Sequence, residues 1–177
     1  FATNYFYTGT RFLVKAGTAV KSLDDLKGKT VVSTTGTTNF KIIRNLNEEQ
    51  KLGIDLLGAK DHAESALMVQ TGRAVAFGMD DILLYGLKAS SQNPAEWAVV
   101  GDPIQVEPYA IMLRKDDAAF KKLVDDTLAG LMKSGEFEAL YKKWFESPIP
   151  PKGINLNAPM SKELRDNLQL LSDKPAT

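Results

Sequence analysis

Thr30-Val31-Val32-Ser33-Thr34-Thr35-Gly36-Thr37-Thr38 is the stretch that decides the fold. Its first half is a β-branched run that suits a buried strand. Its second half holds threonines around one glycine. Directly after it, Phe40, Ile43 and Leu46 are spaced for one face of a helix that frays before Gly53. A buried strand, a short Gly/Thr loop and a helix in this order is the opening of a strand–helix–strand unit.

Working outward, the same alternation repeats. Thr10–Val14 reads as a strand. Ser22-Leu23-Asp24-Asp25 has the Ser-x-x-Asp form of a helix start, closed at Gly28. Ile54–Ala59 reads as a strand and Glu64–Thr71 as a helix stopped at Gly72. Val75–Met79 is apolar on both faces, as a strand covered by helices on two sides is. Asp80 and Asp81 open a helix to about Ser90; Trp97–Val100 and Tyr109–Leu113 read as two further strands. The middle of the chain therefore implies a parallel or mostly parallel sheet with helices on both sides. The last third is almost all helix. Asp116 or Asp117 caps a helix whose inner face carries Phe120, Leu123, Val124, Leu128 and Leu131. A second helix, after Gly135, carries Phe137, Leu140, Tyr141, Trp144 and Phe145 and ends at the prolines 148, 150 and 151. Ser161 starts the last, with Leu164, Leu168 and Leu171. The change of character near Tyr109–Arg114 marks a boundary between lobes.

Composition excludes several function classes. Lys+Arg and Asp+Glu both number 22 and no basic stripe is present, which argues against nucleic acid as a partner. Cysteine is absent, so disulfides, thiolate metal sites and cysteine nucleophiles are excluded. His62 is the only histidine, so a multi-histidine metal site within one chain is impossible. No run approaches the ~20 apolar residues of a membrane helix, and a soluble protein is expected. The chain begins at Phe1 rather than Met and carries no signal peptide, so export cannot be read directly. No nucleophile elbow, triad or metal motif is found, no cofactor is implied, and an enzyme is not expected.

Three places can carry binding chemistry. The loop Thr34–Thr38 precedes a helix, and the unpartnered N–H groups of a helix start, with its macrodipole, attract a carboxylate or phosphate. Gly36 lets backbone approach a ligand, and the hydroxyls of Thr37 and Thr38 can add hydrogen bonds. Either threonine can equally be a helix cap. The Gly-Lys-Ser/Thr of a phosphate-binding P-loop is missing. Asp80, at the carboxyl end of a strand, can hold an ammonium group, or it or Asp81 can cap the next helix; in open α/β sheets ligands sit at that edge. His62, just after the strand 54–59, can donate to a carboxylate or be an exposed loop histidine held by Asp61 and Glu64. Arg11 and Arg73 are cations without a motif. Trp97, Trp144, Tyr85 and Tyr141 lie in apolar patterns and read as core. If the strands end on one edge, Gly36-Thr37-Thr38 and Asp80 match the two charges of a zwitterionic amino acid.

Ser22-Leu23-Asp24-Asp25-Leu26-Lys27-Gly28-Lys29, Gly36-Thr37-Thr38, Gly72-Arg73-Ala74-Val75-Ala76-Phe77, Met79-Asp80-Asp81, Leu113-Arg114-Lys115-Asp116-Asp117 and Lys143-Trp144-Phe145, in this order, resemble the family 3 bacterial extracellular solute-binding proteins. Leu46–Lys51, Ala59-Lys60-Asp61-His62 and Pro148–Lys152 resemble its glutamate/aspartate-binding subgroup. The resemblance covers essentially the whole chain. It implies a type II periplasmic-binding-protein fold: two lobes joined by crossing strands near Arg11–Val14 and Ile111–Arg114, closing on one amino acid. Residues 1–14 would be the end of lobe 1 and the first hinge strand. Residues 15–110 would be lobe 2, a three-layer α/β/α lobe, and 111–177 the second hinge strand and the C-terminal helices of lobe 1. The N-terminal segment of lobe 1, which supplies arginine and hydroxyl ligands in relatives, would be missing. Self-association or segment swapping would then cover the tail helices. Thr37 and Thr38 would take the ligand α-carboxylate, Asp80 its amino group and His62 its side-chain carboxylate. The implied function is the periplasmic binding component of an ABC importer for glutamate or aspartate, partnered by a membrane permease. A receptor's sensing domain, or an enzyme resembling cyclohexadienyl dehydratase with Asp80 or Glu64 as acid or base, are the alternatives on the same fold.

Overall fold

In the computed structural model, residues 1–176 are described and form two compact units, Gly9–Gln105 on the one hand and Phe1–Thr8 with the chain from Val106 onward on the other. The expected divisions lay after residues 14 and 110; the observed ones fall after Thr8 and Gln105.

The unit Gly9–Gln105 is built on a five-stranded sheet. Its strands are β1 (Phe6–Lys15), β2 (Thr30–Thr34), β3 (Asp55–Ala59), β4 (Ala76–Asp80) and β5 (Trp97–Tyr109), and their order across the sheet is β3-β2-β4-β1-β5. Both β1 and β5 continue into the other unit. Helices α1 (Thr38–Glu49) and α2 (His62–Gln70) connect the parallel strands β2, β3 and β4, and α3 (Asp81–Ser90) follows β4. β2 lies parallel to both β3 and β4, with Thr34 opposite Ala59 and Val32 opposite Phe77. β1 is antiparallel to β4, with Thr10 opposite Asp80. The sheet is therefore mixed rather than all-parallel. Because β1 runs against β2, the connection between them starts and ends at the same edge and needs no crossover helix. The short helix expected between Ser22 and Gly28 is there a 3-10 turn, Asp24–Leu26. There the Asp25 carboxylate accepts the N–H groups of Lys21 and Ser22.

Strand side chains alternate between faces, and two separate apolar clusters result. Phe12, Val14, Val31 and Ala76 pack with Ile43 of α1 on one face. Leu13, Val32, Phe77 and Met79 pack with Met68 and Val69 of α2 and Leu84 of α3 on the other. Gly78 of β4 faces α1 so closely that a Cβ there would run into the Ile43 side chain and the Phe12 ring. The Ser33 hydroxyl donates to the Gly78 carbonyl at 2.8 Å.

One expectation is corrected at the second boundary. Two strands, Trp97–Val100 and Tyr109–Leu113, were expected; a single strand, β5, runs from Trp97 to Tyr109, and residues 110–114 are not strand. Pro103 and Pro108 lie within β5, which is an edge strand, where a missing N–H is tolerated. Gly101 and Gln105 take up the bends at positive φ. Beyond β5, the Tyr109 and Ile111 carbonyls accept the N–H groups of Tyr5 and Ala2.

The other unit is helical: α4 (Ala118–Ser134), α5 (Glu136–Phe145) and α6 (Lys162–Leu170). Asp117 caps α4 by accepting from the Phe120 N–H, and Ser161 caps α6 by accepting from the Leu164 N–H. Gly135, in the left-handed region, separates α4 from α5. Phe6, Tyr109, Tyr141 and Phe145 form an aromatic stack, with Tyr141 and Phe145 centroids 4.6 Å apart, and the Tyr141 hydroxyl donates to the Ala158 carbonyl. Asn167 of α6 donates to the Asn4 carbonyl, and Lys121 bridges Asp125 and Asp173 at 2.7 and 2.9 Å. Two residues expected inside α4 are exposed, Phe120 at 48% and Leu123 at 61%. Trp144, read from its pattern as core, is also exposed and lies beside the Lys143 ammonium.

Candidate functional site

The carboxyl ends of β2, β3 and β4 share one edge of the sheet, because these strands are mutually parallel. All four residues singled out in the sequence lie on or just beyond that edge. Thr37 and Thr38 stand at the start of α1, His62 at the start of α2, and Asp80 at the end of β4 where α3 begins. Strand alternation divides the edge into two polar groups, one on each face of the sheet.

On the α1 face, Thr10 and Asp80 are cross-strand partners. Asn39, 3% exposed, donates one amide hydrogen to Thr10 Oγ1 and the other to Asp80 Oδ1, each at 2.9 Å. An NH2 group has two donors, so this arrangement uses both. Asp80 occupies the N-cap position of α3, but its side chain makes no cap hydrogen bond. The carboxylate is instead held by Asn39, and the helix-cap alternative for it does not apply.

Thr37 is a helix cap. Its hydroxyl accepts from the Phe40 N–H at 3.1 Å and donates to the Thr34 carbonyl at 2.7 Å. Gly36 precedes it at φ +77°, the left-handed region, which lets the chain turn sharply from β2 into α1. Thr38 is the first residue of α1 and is exposed. What the loop offers an anion is therefore the start of a twelve-residue helix rather than a free Thr37 hydroxyl.

On the α2 face, His62 is no loop histidine. It opens α2, is half-buried, and lies with Nδ1 2.8 Å from Thr34 Oγ1 and its ring tilted against Phe77 at 6.2 Å. Thr34 Oγ1 also meets the fully buried Ser65 Oγ at 3.0 Å, and Ser65 donates to the Asp61 carbonyl at 3.1 Å. Asp61 and Glu64 do not hold the imidazole. Asp61 caps α2 through the Glu64 N–H, and Glu64 reaches back to the Lys60 N–H, a reciprocal capping arrangement.

Of the two arginines singled out in the sequence, Arg73 is exposed, whereas Arg11 donates to the Tyr85 hydroxyl at 2.6 Å and to the carbonyls of Val99 and Gly101. Arg11 therefore ties β1 to β5 and α3. Thr10, Asn39 and Ser65 were missed in the sequence, and Thr34 was read only as the start of the loop. Asn39 and Ser65 each head an apolar stripe, Asn39 with Ile42 and Ile43, Ser65 with Met68 and Val69. A polar residue at the buried end of such a stripe was the available signal. Among the described residues, no cluster of three or more His, Asp or Glu could hold a metal ion, and no helix is long and apolar enough to cross a membrane.

Residues 1–147 match the family model of the bacterial extracellular solute-binding proteins, family 3. The chain is 49% identical over 99% of its length to a protein of Pseudomonas aeruginosa named L-glutamate/L-aspartate-binding protein. It is 48% identical over 98% of its length to the glutamate/aspartate import solute-binding protein of Salmonella typhimurium. In both cases it spans 58% of the relative's own length. Among solved structures, an ancestral arginine-binding protein bound to arginine superposes with a TM-score of 0.68 at 30% identity, covering 82% of this chain and 63% of that one. The expected type II periplasmic-binding-protein fold is thus met, as an α/β part with a mixed sheet and further helices. With the family model matched over residues 1–147 and the relatives' identity and structural likeness in agreement, the chain belongs to the family 3 bacterial extracellular solute-binding proteins.

Proposed function

We propose that this chain is part of the substrate-binding component of an ABC importer, working in the periplasm, and that it takes an acidic amino acid, glutamate or aspartate, at the rim of its sheet. One observation carries the reading. The start of α1, the Asn39-held Asp80 carboxylate and the Thr34-held His62 imidazole stand along a single sheet edge. A helix start suits an α-carboxylate, a carboxylate suits an ammonium, and an imidazolium suits a second carboxylate. Thr37 acts through the shape of the α1 start, Thr38 as its first residue, Asp80 as the ammonium acceptor and His62 as the side-chain donor. The names of the relatives support the same ligand class. The process is binding and delivery to a membrane permease, without bond making or breaking. No observation favours the dehydratase-like or receptor readings, and none supports exchange of segments between copies.

The test is calorimetric titration of the full-length polypeptide with L-glutamate and L-aspartate. Binding of at least one, weakened by about 2–5 kcal/mol on Asp80→Ala, is expected, since that variant strands an ammonium. No heat with either ligand overturns the acidic-ligand reading. His62→Ala is expected to weaken the acidic ligands more than L-glutamine, and equal losses would remove His62 from the side-chain role.

A further inference from the structure

We infer that the buried Thr34–Ser65 hydroxyl pair fixes the tautomer of His62, so that the outer ring nitrogen, Nε2, donates a hydrogen bond only when the ring is protonated.

The argument is a count of hydrogens along one chain of contacts. The Asp61 carbonyl can only accept, so the 3.1 Å contact is a hydrogen bond only if Ser65 gives its single hydroxyl hydrogen there. Ser65 Oγ, 3.0 Å from Thr34 Oγ1, must then accept from Thr34, which spends the one hydrogen Thr34 has. Thr34 Oγ1, 2.8 Å from His62 Nδ1, is left as an acceptor, and Nδ1 must carry the proton. This polarity makes three hydrogen bonds with three hydrogens. The reverse polarity, Ser65 to Thr34 to Nδ1, leaves the Ser65–Asp61 contact without a hydrogen and makes only two. Ser65 is 0% and Thr34 5% exposed, so solvent does not readily make up the lost bond, and leaving buried polar groups unpaired is costly. A histidine's tautomer is set by the bond its other nitrogen makes. Here that bond assigns Nδ1–H, and the neutral ring has a bare Nε2.

The charged groups next to this ring along the chain are Lys60, Asp61 and Glu64; Asp80 and Asp81 stand at the end of β4, the strand whose Phe77 ring lies beside the imidazole. Among the described residues, Asp61 and Glu64 bind backbone N–H groups rather than the imidazole. The hydroxyl chain is therefore what orients the ring. Thr34 and Ser65 are positioning residues, acting through His62.

The ligand consequence rests on the function proposed above. A side-chain carboxylate needs a donor at Nε2, so its binding to the neutral ring takes up a proton. A side-chain amide, which has hydrogens to give, meets the bare Nε2 without proton uptake. Discrimination between acid and amide is thereby tied to the state of one ring.

Because His62 is the only histidine of the chain, imidazole nitrogen NMR of the 177-residue protein with 15N-labelled histidine reports it alone. At mildly alkaline pH, a protonated Nδ1 and a bare Nε2 are expected; a protonated Nε2 overturns the inference. Thr34→Ser should keep the Nδ1–H form. Ser65→Ala should release the Thr34 hydrogen and move the ring toward Nε2–H, and an unchanged ring in a folded variant overturns the hydroxyl chain. Should Ser65→Ala fail to fold, the unaltered protein and Thr34→Ser still decide the tautomer. For the ligand half, calorimetry of the full-length polypeptide with L-glutamate in two buffers of different ionisation enthalpy should show uptake approaching one proton. Binding without uptake overturns that half only. Absence of glutamate and aspartate binding removes the proposed function and the ligand half together, while the tautomer stands or falls on the spectrum.

Discussion

The unit Gly9–Gln105 and the helical unit solve the problem of apolar surface differently. In the first, each face of one sheet is covered, by α1 on one side and by α2 and α3 on the other, and Phe12, Phe77, Ile43 and Leu84 are at most 1% exposed. In the second, α4 and α5 carry equally apolar sequence, yet Phe120, Leu123, Leu140 and Trp144 are exposed. What order there is comes from the aromatic stack around Phe6 and Tyr141 and from polar ties such as Asn167 to Asn4. Apolar periodicity specifies a helix face in both; only the presence of a facing element decides whether that face is buried.

Substitutions can break this contrast. Phe77→Ala, in the covered sheet, should cost about 3–5 kcal/mol, whereas Leu123→Ala, on the exposed face of α4, should stay within about 0.5 kcal/mol. Urea unfolding of both variants checks this, and comparable losses would erase the distinction. Next in size, Asn39→Ala removes one hydrogen bond from the Thr10 hydroxyl and one from the Asp80 carboxylate and should cost about 1–3 kcal/mol, while weakening amino-acid binding by the full-length polypeptide. A binding constant that does not move would detach Asn39 from the site. Thr37→Ala removes the α1 cap and should cost about 1 kcal/mol, with Thr37→Ser restoring most of it; thermal unfolding of the two variants separates a cap from a mere space-filler.

The smallest effect belongs to the helical unit and sharpens the comparison by pH. Burial would raise the Asp125 carboxyl, but hydrogen bonds from Lys121 and Thr3 outweigh it and hold it below its ordinary 3.8. The Lys121 hydrogen bond also lowers Asp173, and Lys121 itself is raised above 10.5 by Asp125 first and then by Asp173. A depressed carboxylate adds stability above its unfolded value and loses it as pH falls through the folded one. A raised lysine adds stability below 10.5 and loses it as pH climbs through its folded value. Partly exposed pairs of this kind contribute below about 1 kcal/mol. Asp125→Asn should therefore flatten a small acid loss, starting below about pH 4, in the helical unit's amide exchange. A full-sized acid loss in that variant would place its origin elsewhere.

The alternation of strands and helices between Thr30 and Ser90 was legible because β-branched and apolar runs were punctuated by Gly36, Gly53 and Gly72 and by cap residues. Asp80 and His62 were legible as site candidates because each follows such a run. The direction of β1 and the continuity of β5 were not, since strand pairing depends on partners distant in sequence and an edge strand can keep its prolines. Asn39, Ser65 and the partners of Thr34 escaped for another reason. A polar side chain on a helix or strand reads as solvated until the opposing oxygen or nitrogen is known.

Gly78 lies two residues before Asp80 on the same strand, and Ile43 lies one turn beyond Asn39 on the same helix. The spot where that helix rests on that strand is thus also a spacer that sets the gap across which Asn39 reaches the carboxylate. A larger residue at Gly78 would act as a wedge, opening the 2.9 Å bridge at the rim from below while leaving every group that forms it unchanged. The placement of charge at the edge is inherited from the thinness of the layer beneath it.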